Sequence, residues 1–199
     1  MLIISRDAAY YLPLNPQGPP PIMPAVVLTG EQILFAAEGR RHRVFLLPGN
    51  ELLIQAGKLT THLSASIAEQ ITTLAILSEN PLTLVVGTAP ARVYRLTPGS
   101  AVEPRASMSF DKLAERERWY GPAGSPAVVR SLAVTADGWL YADIHEGRIV
   151  RSADGGTIWE AVSPTLHQDV HQVTVSAGGA KGVYVTTANG VWISRDRGD

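Results

Sequence analysis

The sequence has no cysteine, which excludes disulfides, thiolate metal ligands and cysteine nucleophiles, although it leaves the compartment open. It also has no excess of either charge. Seventeen basic and 18 acidic residues give a formal net charge of -1, and only Arg40, Arg41 and Arg43 cluster, as in a solvated turn. No basic footprint for nucleic acid results. The amino terminus, Met1 to Asp7, lacks the basic and apolar regions of an export signal, so a cytoplasmic location is expected. The uncharged stretch from Ala8 to Gly30 carries prolines at 13, 16, 19, 20, 21 and 24 and cannot be a membrane-crossing helix. It reads as an extended lead-in or surface loop, and no membrane partner is expected. What is present is a globular composition: 199 residues, 45% hydrophobic and 18% charged, enough to bury a substantial core.

Helical periodicity is nearly missing too. From about residue 31 onward, short β-rich runs alternate with Gly, Pro, Asn or Asp turns, which predicts an all-β fold. Three segments share one plan of strand, turn, strand, tight turn, strand. The first has runs at 71–77, 82–88 and 92–96; the second at 129–134, 139–144 and 148–152; the third at 170–175, 182–187 and 191–194. Ser152 and Ser194 hold matching places 42 residues apart, the length of a four-stranded propeller blade. An earlier, degenerate blade is expected from Gln32 to about Ser66. The longer step from Leu74 to Leu132, 58 residues, marks an insertion over 98–127, in which Phe110 to Tyr120 is the one credible short helix. The expectation is one partial propeller domain over 1–199, with about four blades of four antiparallel strands.

Ser152-Ala-Asp154-Gly-Gly156-Thr-Ile-Trp159 fits the spacing S-x-D-x-G-x-x-W. Such a turn closes the hairpin between the third and fourth strands of a blade: the Asp154 carboxylate accepts from turn amides, Gly156 takes backbone angles closed to other residues, and Trp159 returns apolar surface to the interior. Ser194, Asp196 and Gly198 begin a second copy, whose tryptophan would fall at about position 201 by the same spacing. The sequence thus reads as a fragment of a longer product or an unfinished frame. These motifs resemble those of the BNR/Asp-box superfamily, which includes sialidases, xyloglucan-type glycoside hydrolases, sortilin-type receptors and photosystem II assembly-factor-like proteins. Gly87 to Arg95 and Asp169-Val-His171 further resemble bacterial glycosyl hydrolase or BNR-like repeat proteins. The resemblance covers about residues 71 to 199 and implies architecture, since in these families the motif lies away from the ligand face.

On that ligand face the repeat places Thr88 to Ala91, the turn with His145 and Glu146, Asn189, the connection from Ser163 to Val170, and the insertion with Glu115, Glu117, Arg118, Trp119 and Tyr120. His167, Asp169 and His171, joined by His145 and Glu146, offer imidazoles and carboxylates for a metal or an acid/base pair, but without ligand spacing, so neither metal nor cofactor is expected. Trp119 and Tyr120 could stack on a sugar or anchor the insertion; Trp139, Tyr141, Tyr184 and Trp192 read as core or inter-blade packing. The Arg-Ile-Pro signature of sialidases is absent, and Asp143 with Asp169 is the least implausible carboxylate pair for a xyloglucanase-like mechanism. The sequence therefore favours a non-catalytic platform for an unidentified protein or carbohydrate ligand over a glycoside hydrolase with a degenerate or incomplete site.

Overall fold

The computed structural model describes residues 2–12, 18, 25–101, 104–162, 165–176 and 182–199. The six prolines of the lead-in fall outside them. Among the described residues the strands form five antiparallel sheets, in two compact units, Met1–Ser64 and Ala65–Asp199.

In the first unit, β1 (Leu2–Ile4), β2 (Ala8–Tyr11) and β3 (Ala25–Thr29) form one sheet. The lead-in expected from Ala8 to Gly30 thus contains two strands. Its strands are too short for an alternating pattern to stand out, yet Ala8 and Ala9 are buried. The second sheet orders β4 (Phe35–Glu38), β5 (His42–Leu47), β6 (Glu51–Ala56) and β7 (Leu59–Ser64) consecutively. Ala9, Ile33, Phe45, Leu47 and Leu53 pack between the two sheets, each large side chain contributing ~1.5–3 kcal/mol by leaving water.

The second unit repeats this plan. Its first sheet holds β8 (Gln70–Glu79), β9 (Leu82–Ala89), β10 (Val93–Leu96) and the short β11 (Arg105–Ala106). Next come β12 (Val129–Val134), β13 (Leu140–Ile144), β14 (Arg148–Ser152) and the short β15 (Glu160–Ala161). The last sheet has β16 (Val170–Val175), β17 (Val183–Thr187) and β18 (Gly190–Ser194). The insertion contributes β11, then a single helical turn, α1 (Met108–Asp111), capped where Ser107 Oγ accepts from the Phe110 amide, and a 3-10 turn over Ala114–Arg118. The helix expected from Phe110 to Tyr120 is therefore shorter and begins earlier.

Two apolar layers hold these three sheets together. Val85, Val93, Phe110, Val129, Leu140 and Trp159 fill the first, and Tyr141, Ile149, Val170, Val173, Val183 and Val185 fill the second. The inner strands approach closely at Gly87, where a Cβ would run into the Val129 side chain, so no larger residue fits without displacement. Tyr141 is fully buried and Trp139 half-buried, but Tyr184 and Trp192 are exposed: they stand on β17 and β18, where only one flank is covered. Among the described residues no helix is long and apolar enough to cross a membrane.

Candidate functional site

The turn after β14 is built as its residue types require. Ser152 Oγ donates to Asp154 Oδ1 at 2.8 Å and accepts from the Gly156 amide at 2.9 Å. Asp154 Oδ1 also accepts from the amides of Thr157 at 3.0 Å and Ile158 at 2.8 Å. Partial desolvation pushes the Asp154 carboxyl up, but these amides and the Ser152 hydroxyl outweigh it and hold the group below the usual range. Gly155 and Gly156 take φ of 71° and 91°, and the buried Trp159 ring donates from Nε1 to the Gly156 carbonyl at 3.0 Å. The turn after β18 repeats the geometry: Ser194 Oγ donates to Asp196 Oδ1 at 2.7 Å and accepts from the Gly198 amide at 2.6 Å, with φ of 70° and 94° at Arg197 and Gly198.

Each turn is fastened to residues that precede its own sheet in the chain. Trp159 meets the Phe110 ring edge-on at 5.5 Å, and its amide donates to Ser109 Oγ at 2.9 Å. The Arg197 carbonyl accepts from Tyr141 Oη at 3.2 Å and Arg151 Nη1 at 2.8 Å, while the Arg197 guanidinium covers the Trp139 ring at 4.8 Å and donates to Asp137.

The residues assigned to a ligand face from the sequence come together in part. The β13–β14 turn carries the half-buried His145 and Glu146, and the His145 amide donates to the Val128 carbonyl. Gly147, next in this turn, lies so close to Trp119 that a Cβ would stand 2.8 Å from its ring. Trp119 is half-buried, 5.4 Å from the Phe110 ring, with the Arg116 guanidinium 5.4 Å above it, so its ring anchors the insertion. Tyr120, 44% exposed, accepts at Oη from Gln168 Nε2 at 3.3 Å. Gln168 in turn accepts at its carbonyl from the Arg148 amide, which joins the sheet connection to the same turn. His167 Nδ1 accepts from the Asp169 amide, and the exposed His171 ring pairs with Asp169 at 3.3 Å. Arg130, not singled out from the sequence, lies 3.7 Å from Asp169 Oδ1 and donates to the Val170 carbonyl. A lone arginine on an inner strand has no sequence signature. Glu115, Glu117 and Arg118 remain exposed. No group of three or more His, Cys, Asp or Glu among the described residues is arranged to hold a metal ion.

Asp143 lies beneath this face, fully buried on β13 opposite Ser131, whose Oγ lies 3.2 Å from Oδ2. The same Oγ accepts from the Val173 amide of the next sheet at 2.9 Å, and Asp143 Oδ1 is buried with no partner. Burial pushes this carboxyl up to about 8, Arg130 and Ser131 opposing and Asp169 adding to the rise. Such a value suits a general acid at neutral pH, but a general acid has to reach the oxygen it protonates, and Asp143 is 0% exposed. A cavity of about 480 Å³ opens elsewhere, beside β18, against Ile149, Val185 and Trp192.

A family model described as "Strictosidine synthase-like, N-terminal" matches residues 131–152, which is too little of the chain to show a family. No curated protein sequence matches the chain. Among solved structures, YCF48 from Cyanidioschyzon merolae is similar with a TM-score of 0.59 at 13% identity, over 87% of this chain and 56% of that one. A structure of YCF48 bound to D1 peptide is similar with a TM-score of 0.54 at 14% identity, over 97% of this chain and 61% of that one. The chain thus spans less than two thirds of the length of either relative. At these identities the likeness concerns the fold alone, an all-β, multi-bladed arrangement of open antiparallel sheets. The likeness to YCF48 also argues against the cytoplasmic location expected from the amino terminus, and that expectation is withdrawn. So short a stretch as Met1 to Asp7 carries no address merely by lacking a signal.

Proposed function

We propose that the chain is a non-catalytic propeller that serves as a binding or assembly platform, with an extended peptide segment of another protein as its ligand. In this reading residues 1–199 are one propeller domain, 98–127 is an insertion between blades, and the turns at Ser152 and Ser194 are Asp boxes. The observation that carries the proposal is the fold shared with YCF48, one structure of which is of YCF48 bound to D1 peptide. The ligand face supports it: exposed Tyr120 is tied through Gln168 to the turn that carries half-buried His145 and Glu146, and exposed His171 pairs with half-buried Asp169, a mixture of an aromatic and adaptable polar groups suited to recognition. The strongest acid candidate for glycoside hydrolysis, Asp143, is shut away beneath them.

The test is a peptide array that includes D1 peptide, probed with the full chain and with its Tyr120→Ala and His171→Ala variants, run beside hydrolysis assays on sialosides and xyloglucan oligosaccharides. Peptides bound by the wild type and lost at least about tenfold in both variants are expected, without hydrolysis above the buffer rate. Hydrolysis abolished by Asp143→Asn or Asp169→Asn would replace this reading with the glycoside hydrolase.

A further inference from the structure

A second surface, formed where the β10–β11 edge meets the turn after β14, carries chemistry that no catalytic or platform reading absorbs. Val85, Arg95 and Arg105 stand in one cross-strand row, Val85 opposite Arg95 and Arg95 opposite Arg105. Directly opposite residues point to the same side of a sheet with Cβ atoms ~5 Å apart, and like charges in that relation destabilise the pair. Both arginines are exposed, and among the described residues neither is paired with a carboxylate.

Arg95 and Arg105 both line a cavity of about 340 Å³, together with Gly155, Gly156 and Thr157 of the turn. Arg95 Nη1 comes within 3.9 Å of where a Cβ on Gly155 would stand, an ordinary van der Waals distance, so its guanidinium reaches the turn. Ser107 and Ser109 also line the space. Ser107 Oγ accepts from the Phe110 amide and Ser109 Oγ from the Trp159 amide, bonds that use lone pairs and leave each hydroxyl proton available. The nearest acid of the turn, Asp154, has Oδ1 already committed to the Ser152 hydroxyl and to the Thr157 and Ile158 amides.

We infer that this cavity is a binding site for a doubly charged tetrahedral oxyanion, a phosphate or sulfate group, held between Arg95 and Arg105 with Ser107 and Ser109 as hydroxyl donors. Two cations in one cross-strand row call for two negative charges, which a single carboxylate does not supply, and guanidinium forks match the oxygen spacing of a tetrahedral anion. The volume exceeds what the anion alone needs and admits a sugar-sized substituent, so free phosphate and a phosphate ester are both of the right chemistry. None of the residues of the ligand face lines this cavity.

The experiment is calorimetric titration and thermal unfolding of the full chain with inorganic phosphate, sulfate, glucose 6-phosphate and acetate, each against chloride at equal ionic strength. Phosphate or sulfate should bind and raise Tm where chloride and acetate do not, and Arg95→Ala and Arg105→Ala should each weaken binding at least about tenfold. Tighter binding of glucose 6-phosphate would identify an ester as the ligand, and equal binding the free ion; both support the site. Arg105→Glu should abolish binding while raising Tm without anion, because an opposite-charge pair replaces the like-charge one, so a mere folding defect would be recognised at once. Phosphate no better than chloride, acetate as good as phosphate, or wild-type affinity in both alanine variants would overturn the inference.

Discussion

Asp143 is shut off from solvent, with one hydroxyl near one oxygen and no hydrogen-bond partner at the other, so the chain tolerates it best as a neutral acid. Its folded value of about 8 lies above the ordinary 3.8, so the folded state holds a proton that the unfolded state releases. The stabilisation from that proton is complete below the ordinary value and is lost as pH rises toward 8, at a slope of at most ~1.4 kcal/mol per pH unit. Asp143→Asn keeps the shape and cannot ionise. Urea midpoints measured from acid to mildly alkaline pH should therefore show the variant matching wild type in acid and exceeding it increasingly toward pH 8. Parallel curves would mean that the buried carboxyl does not titrate as described. The burial was not legible in the sequence, where Asp143 reads as one of a carboxylate pair with Asp169; it depends on Ser131 and Val173 arriving from two other strands.

Among the elements, the long strands were legible and the short ones were not. The readings at 129–134, 148–152 and 170–175 coincide with β12, β14 and β16 because Val, Ile and Ala recur there between clear turn residues. β11 and β15 are two residues each and carry no period at all; they form because β10 and β14 offer them an edge. The turns at Ser152 and Ser194 were legible as spacing, and their hydrogen bonds explain the spacing. Asp154→Ala leaves the Thr157 and Ile158 amides without that acceptor and should cost ~1–3 kcal/mol, whereas Trp159→Ala empties a place in the core beside Phe110 and should cost ~3–5 kcal/mol. Chemical denaturation of the two variants checks the order; an equal or reversed effect would show that the turn, rather than the ring it positions, carries the stability.

At the scale of the whole molecule, Ala65–Asp199 is a row of three sheets in which the middle one is covered on both sides and the last on one. β13 is buried along its entire length, while Val191, Trp192 and Ile193 of β18 are exposed. Repeat-like stacks open from their uncovered members, so amide hydrogen exchange should be slowest in β12 and β13 and fastest in β18 within this unit. Uniform protection across the three sheets would instead mark one indivisible cooperative unit. The ligand face was legible only in outline for a related reason: the repeat placed Tyr120, His145 and Asp169 at one end of their sheets, but Arg130 joins them from the body of a strand.

The direction in which the turns fasten has a consequence for synthesis. Trp159 reaches back to Phe110 and Ser109, and Arg197 reaches back to Trp139, Tyr141 and Arg151, so each sheet clasps material that left the ribosome before it. A nascent chain built this way can settle one layer at a time, with every new clasp closing on a finished neighbour and none waiting on residues still to be translated.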